Sequence, residues 1–161
     1  MSVEETSLVR TGKIALVTGA LLFTALAIAR SLLFPTPPPA KSIVFGCYTT
    51  TVGSPIRLEA DGMDILQKNF PRIGFDLERH KTGIILAAQA PIVADPVNGR
   101  YVYRIARLGG GWFLDFFKTV NGHRRGVFDE HELSGFTMLA SDGNYLPYEK
   151  APIESCQDAR S

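Results

Sequence analysis

Two cysteines, three histidines and one aromatic run are the side chains from which chemistry is to be sought. Cys47 and Cys156 are the only cysteines and stand near the two ends of the stretch that follows Ser42. In an exported domain an isolated pair is more often a disulfide than two free thiols. Joining them closes a loop of roughly 100 residues and brings the first strand against the last. The competing reading is two small buried hydrophobes. His80, His123 and His131 each lie in a polar or charged stretch, and no HExxH or CxxC spacing accompanies them. Asp129-Glu130-His131-Glu132 has the composition to attract a cation. Affinity, however, needs ligands that converge in space, and a solvated loop is the commoner outcome. No metal and no cofactor are therefore expected. His123-Arg124-Arg125 reads as a charge-paired surface excursion able to meet an acidic partner or a lipid headgroup.

Gly109-Gly110-Gly111-Trp112 lacks the Lys-Ser/Thr of a phosphate loop and leads into an aromatic strand rather than a helix. A hinge or bulge explains it better. Trp112, Phe113, Phe116 and Phe117 place apolar rings on both faces of that strand. Either it is buried on both sides, or its outer face meets a partner. Tyr101 and Tyr103 join these residues as a possible partner or ligand surface. No GxSxG or SxxK signature is present. An enzyme is not the expected reading, although a convergent triad would leave no trace in sequence.

Ile14 to Phe34 is an apolar run interrupted by one charge, Arg30. It has the length to cross a hydrocarbon core of about 30 Å at 1.5 Å per residue. Arg30 lies near its end, where a long side chain reaches the headgroups. A cleaved signal peptide, with Ala25-Leu26-Ala27 as its cleavage site, competes with this anchor. The apolar residues continuing to Phe34 favour the anchor. Residues 1–13 then form a short tail placed in the cytoplasm, and the following domain faces the periplasm or the cell exterior. Arg10 and Lys13 on one side balance Arg30 and Lys41 on the other, so the charge rule for orientation abstains. The orientation rests on the signal-like span and on the cysteines. Residues 35–41, PTPPPAK, form a stiff proline-rich spacer.

Residues 42–161 read as one all-β domain, a small antiparallel barrel or sandwich of about eight strands in a meander. Short alternating runs are separated by Asp61-Gly62, Asn98-Gly99, Asn121-Gly122 and Asp142-Gly143, all pairs that tolerate positive φ at both centres of a type I′ turn. Four of the 17 basic and two of the 16 acidic residues precede Ser42, which leaves 13 against 14 in the domain. That balance gives no general attraction to nucleic acid, so none is expected as a partner. The expected function is a non-enzymatic, membrane-anchored binding or accessory subunit of an envelope complex, with the bilayer met through residues 14–34 and a protein partner beyond it. The alternatives are a small barrel holding an apolar ligand near the membrane and, further behind, an envelope hydrolase.

Overall fold

A computed structural model describes Thr24 and residues 37–107, 111–129 and 132–157, with only the backbone described at 111–113. The chain divides at Pro37, and all the strands lie in the unit Pro38–Ser161. The expected membrane span at 14–34 falls outside the described residues apart from Thr24, which is helical. Among the described residues no helix is long and apolar enough to cross a membrane.

The unit is antiparallel β structure with short 3-10 turns at Lys41–Val44 and Ile153–Cys156. Its strands are β1 Gly46–Thr49, β2 Ile56–Glu59, β3 Gly62–Ile65, β4 Phe75–His80, β5 Gly83–Val97, β6 Arg100–Ile105, β7 Gly111–Val120, β8 His123–Gly126, β9 Gly135–Leu139 and β10 Tyr145–Ala151. Neighbours along the sheet run β3-β2-β1-β10-β9-β7-β5-β4, with β6 paired to β5 and β8 to β7. Met63 and Ile73 exchange two backbone hydrogen bonds of 2.8 and 3.0 Å, which join β3 to the residues leading into β4. The eight-strand path thereby returns on itself, and around it the strands follow chain order apart from the excursions β6 and β8. The all-β antiparallel class expected from the alternating runs is the class observed.

Turn chemistry fixes much of this order. Asn98-Gly99 and Asn121-Gly122 have φ of 51° and 78°, and 51° and 77°, the doubly positive pattern of a type I′ turn. The two Asp-Gly pairs differ, since only their glycines are positive. At the first pair the turn is made by Ala60-Asp61, and Gly62 opens β3. There a Cβ would stand 2.8 Å from the Ile73 carbonyl oxygen, so glycine is required by the closing bridge and not by the turn.

His123-Arg124-Arg125, expected as a surface loop, is instead strand β8. The Asn121-Gly122 turn sends the chain straight back along β7, pairing Val120 with His123 and Lys118 with Arg125.

The long strand β5 changes partner partway. Gly83 to Ala88 pair with β4, whereas Ile92 to Val97 pair with β6. Its ladder with β7 slips between Ala87 and Ile92, an interval that contains Pro91. Proline has no N–H to give to the ladder, so the bulge falls where a donor is missing.

The core holds Tyr48, Phe116, Phe136 and Tyr148, none more than 2% exposed. Phe136 sits at its centre. Its ring stacks on Tyr148 at 5.0 Å, tilts against Tyr48 at 5.0 Å and meets Phe116 edge-on at 5.9 Å. Each such pair adds about 0.5–1.5 kcal/mol beyond simple burial.

Candidate functional site

Cys47 in β1 and Cys156 in the terminal 3-10 turn form a disulfide, with Cα atoms 5.8 Å apart and 109 residues of separation. The pairing of β1 with β10, Cys47 opposite Ala151, brings them together. Both are completely buried, so the bond is a structural seam and not an exposed redox centre.

The residues expected to offer a contact surface divide. Phe116 points into the core at 2% exposure. Phe117 points the other way yet is only 4% exposed. The Arg124 guanidinium lies over its ring at 5.0 Å, and Gly135 of β9 passes beside it. Both faces of the strand are covered at these positions, which removes Phe116 and Phe117 from any exposed surface. The physical reason is β8: it returns along β7 and carries Arg124 across the outer ring. For Trp112 and Phe113 the backbone places them at the start of β7, and Gly109 and Gly110 lie outside the described residues.

Tyr103 is also interior. Its hydroxyl bonds that of Tyr148, which in turn donates to the Ser54 carbonyl oxygen at 3.1 Å. With the single Tyr148 proton committed to Ser54, Tyr103 is the donor in the mutual bond. Burial raises the pKa of both phenols, as it does for Tyr48, whose hydroxyl donates to the Val44 carbonyl at 2.7 Å. All three are neutral packing groups with a polar tip satisfied.

Gln67, absent from the sequence reading, holds β6 in place. Its side-chain amide accepts from the Tyr103 N–H and donates to the Tyr103 carbonyl, both at 2.7 Å. A primary amide thus supplies the donor and acceptor that a neighbouring strand would offer. On the same side Tyr101 N–H bonds the Val52 carbonyl at 2.7 Å, and across the hairpin Ser141 N–H bonds that of Ala94 at 2.9 Å. The β5–β6 hairpin is therefore fastened along both edges.

Tyr101 is half-buried and belongs to a polar cluster. Its hydroxyl donates to Asp142 at 2.9 Å and accepts from Asn144 at 3.2 Å. The backbone N–H of Asn144 holds the Asp142 carboxyl below its ordinary range. Arg104 does the same for Asp95 at 2.5 Å.

The densest charge network lies on the outer face of β2 and β3. Arg57, opposite Asp64 in the register, bonds it at 2.9 Å. Arg72 reaches Asp64 at 2.5 Å, Glu59 at 2.9 Å and Asp61 as well. The Arg72 hydrogen bond leads the causes that lower Asp64 to about 2, with Arg57 assisting against partial burial. The Arg57–Asp64 pair follows from the observed turn at Ala60-Asp61, whereas the Asp61-Gly62 turn expected from the sequence would have put Glu59 opposite Asp64. Arg72 comes from the following connection.

No nucleophile–base pair with an orienting third group is assembled among the described residues. The nearest arrangement is His80 Nδ1 with Thr82 Oγ1 at 3.3 Å, an exposed contact inside one turn. No group of three metal-ligating side chains occurs among the described residues, with Glu130 and His131 outside them.

Apolar side chains do stand on the surface. Leu139 is 48% exposed and Tyr145 70%, and the two are direct cross-strand partners on β9 and β10. Thr137 and Pro147 continue the same outer face. Against this geometry, no protein family, curated protein or solved structure matches the chain.

Proposed function

We propose that this chain is a membrane-anchored, non-enzymatic binding or accessory subunit, carrying a small closed β-barrel outside the cytoplasm. The observation that carries the reading is a contrast between inside and outside. Within the eight-strand path, the rings of Tyr48, Phe75, Tyr103, Phe116, Phe136 and Tyr148 fill the interior, and every described tyrosine hydroxyl there is committed to a structural bond. Outside, the Leu139–Tyr145 pair presents apolar surface next to Thr137 and Pro147. A filled interior speaks against a carried apolar ligand, and an exposed apolar pair suits a protein contact.

The buried disulfide supports an oxidising compartment, and with it a domain on the periplasmic or exterior side. The apolar run at 14–34 supplies the anchor, which raises the local concentration of the domain for a membrane partner.

The contact surface assigned here differs from the aromatic strand of the sequence reading. Alanine at Phe116 would test folding, since that ring is interior. The decisive variants are Leu139→Asp and Tyr145→Ala in the full-length chain purified in mild detergent. Both should release a co-purifying protein while the circular dichroism spectrum and melting temperature stay those of wild type. Retention of the same partner by both folded variants refutes this surface.

A further inference from the structure

We infer that a second copy of this chain seats, about a two-fold axis, on the outer surface that runs from the Leu139–Tyr145 pair to the β5–β6 hairpin. The inference rests on the reading of Leu139 and Tyr145 as a protein contact, and it names the occupant.

The surface is continuous because the β9–β10 turn is laid against β5. Ser141 N–H donates to the Ala94 carbonyl at 2.9 Å, and the Ser141 side chain bonds the Asp95 carboxyl. Ala94 belongs to the core, as do Met138 and Ala140 on either side of Leu139. Asp95 and Leu139 therefore stand on the same outer face. On the hairpin that face is a checkerboard, with Val97 opposite Arg100 and Asp95 opposite Val102. Val97 is 47% exposed and Val102 43%, and diagonal cross-strand neighbours of this kind lie about 7–8 Å apart. Gln67, Val52 and Ser141 fasten the hairpin along both edges, so the face is preformed.

Each half of this surface combines apolar side chains with one uncommitted charge, and the two charges are opposite. Exposed Asp115 is opposite Thr137, two residues from Leu139, which places it about 7–8 Å from Leu139. Exposed Arg100 stands about 5 Å from Val97 across the two strands. Neither Asp115 nor Arg100 enters an ion pair among the described residues. Between the halves, Asp95 and Arg104 neutralise each other. A uniformly acidic or basic partner would match one half and repel the other. A second copy matches both: a two-fold axis through the middle lays Leu139 and Tyr145 on the partner's valines and brings Asp115 to the partner's Arg100. Two-fold contacts of this self-complementary kind are the commonest among homo-oligomers.

The test uses the full-length chain in mild zwitterionic detergent, with micelles in excess, as two batches carrying donor and acceptor dyes at the N-terminus. Energy transfer is read on dilution from about 100 μM, the weakest dissociation constant the inference allows. Asp115→Lys alone and Arg100→Asp alone should each weaken the dimer at least about tenfold, because the broken contact occurs twice. Mixing the two variants should restore wild-type transfer, since the mixed dimer again sets opposite charges together at both contacts. Circular dichroism and melting temperature check that each variant is folded. Wild type that is monomeric throughout, transfer unchanged in both single variants, or a mixture no stronger than either variant overturns the inference. If Leu139→Asp and Tyr145→Ala release a different protein while wild type stays monomeric, the contact reading stands and the two-fold inference falls. If they release nothing and leave transfer unchanged, both fall.

Discussion

Reduction of the Cys47–Cys156 bond should remove a large share of the stability of the domain. The bond spans 109 residues and encloses the whole path from β1 to β10, so it constrains nearly the entire unfolded chain. The chain-entropy relation for a loop of that size gives about 16 cal/mol/K, or about 4.8 kcal/mol at 25 °C. Typical domains are stable by only about 5–15 kcal/mol, which makes this loss a third or more of the total. The unit from Pro38 onward contains the disulfide, all the strands and the core, and is the fragment to measure. Urea unfolding is followed by circular dichroism with and without reductant. With a slope of about 1.5 kcal/mol/M, the midpoint should fall by about 3 M in the reduced sample. A fall below about 0.7 M, near 1 kcal/mol, at unchanged slope would refute the reasoning. It would mean that the β1–β10 ladder and the aromatic core close the path unaided.

Two further outcomes test how polar groups hold the fold. Asp64 has its folded pKa lowered to about 2 from 3.8, so its contribution is complete above the unfolded value and is lost as pH falls from about 4 through 2. Asp64→Asn should cost about 2 kcal/mol at neutral pH and flatten that acid limb in pH-dependent melting; an unchanged limb rejects the Arg72–Asp64–Arg57 network as its source. Tyr148→Phe should cost about 1–3 kcal/mol, since it strands the Ser54 carbonyl and the Tyr103 hydroxyl together. Tyr103→Phe leaves the bond to Ser54 intact and should cost less; equal losses in chemical denaturation would contradict the assigned direction of donation.

Local rules account for the part of the fold that is legible in the chain. The Asn-Gly pairs at 98–99 and 121–122 require positive φ at both residues, and both make the tight turn that this requirement implies. Alternation in Ile56 to Ile65 gives the β2–β3 hairpin and its buried face, whereas the Arg57–Asp64 pairing comes from the turn falling on Ala60-Asp61 and not on Asp61-Gly62. The two cysteines, the only ones in the chain, point to a single bond between its two ends, and it joins β1 to the 3-10 turn after β10. Each of these needs only neighbours in sequence or a unique pairing.

Other features depend on contacts between distant segments. Pro91 and Pro96 discourage reading residues 87–97 as strand, yet β5 runs through them because β7 and β6 take over its ladder on either side of the bulge. The aromatic strand looked able to face a partner, and whether its outer face is covered was decided by where β8 returned and where Arg124 came to rest. Gln67 carries no periodicity at all, and its role appears only when β6 arrives beside it. The sequence by itself determined the β class, the tight turns, the disulfide partners and the apolar run at 14–34, since these follow from backbone preference, hydropathy and residue count. Tertiary structure alone decided which rings are buried and which surfaces remain, because exposure is a property of what packs above a residue and not of the residue.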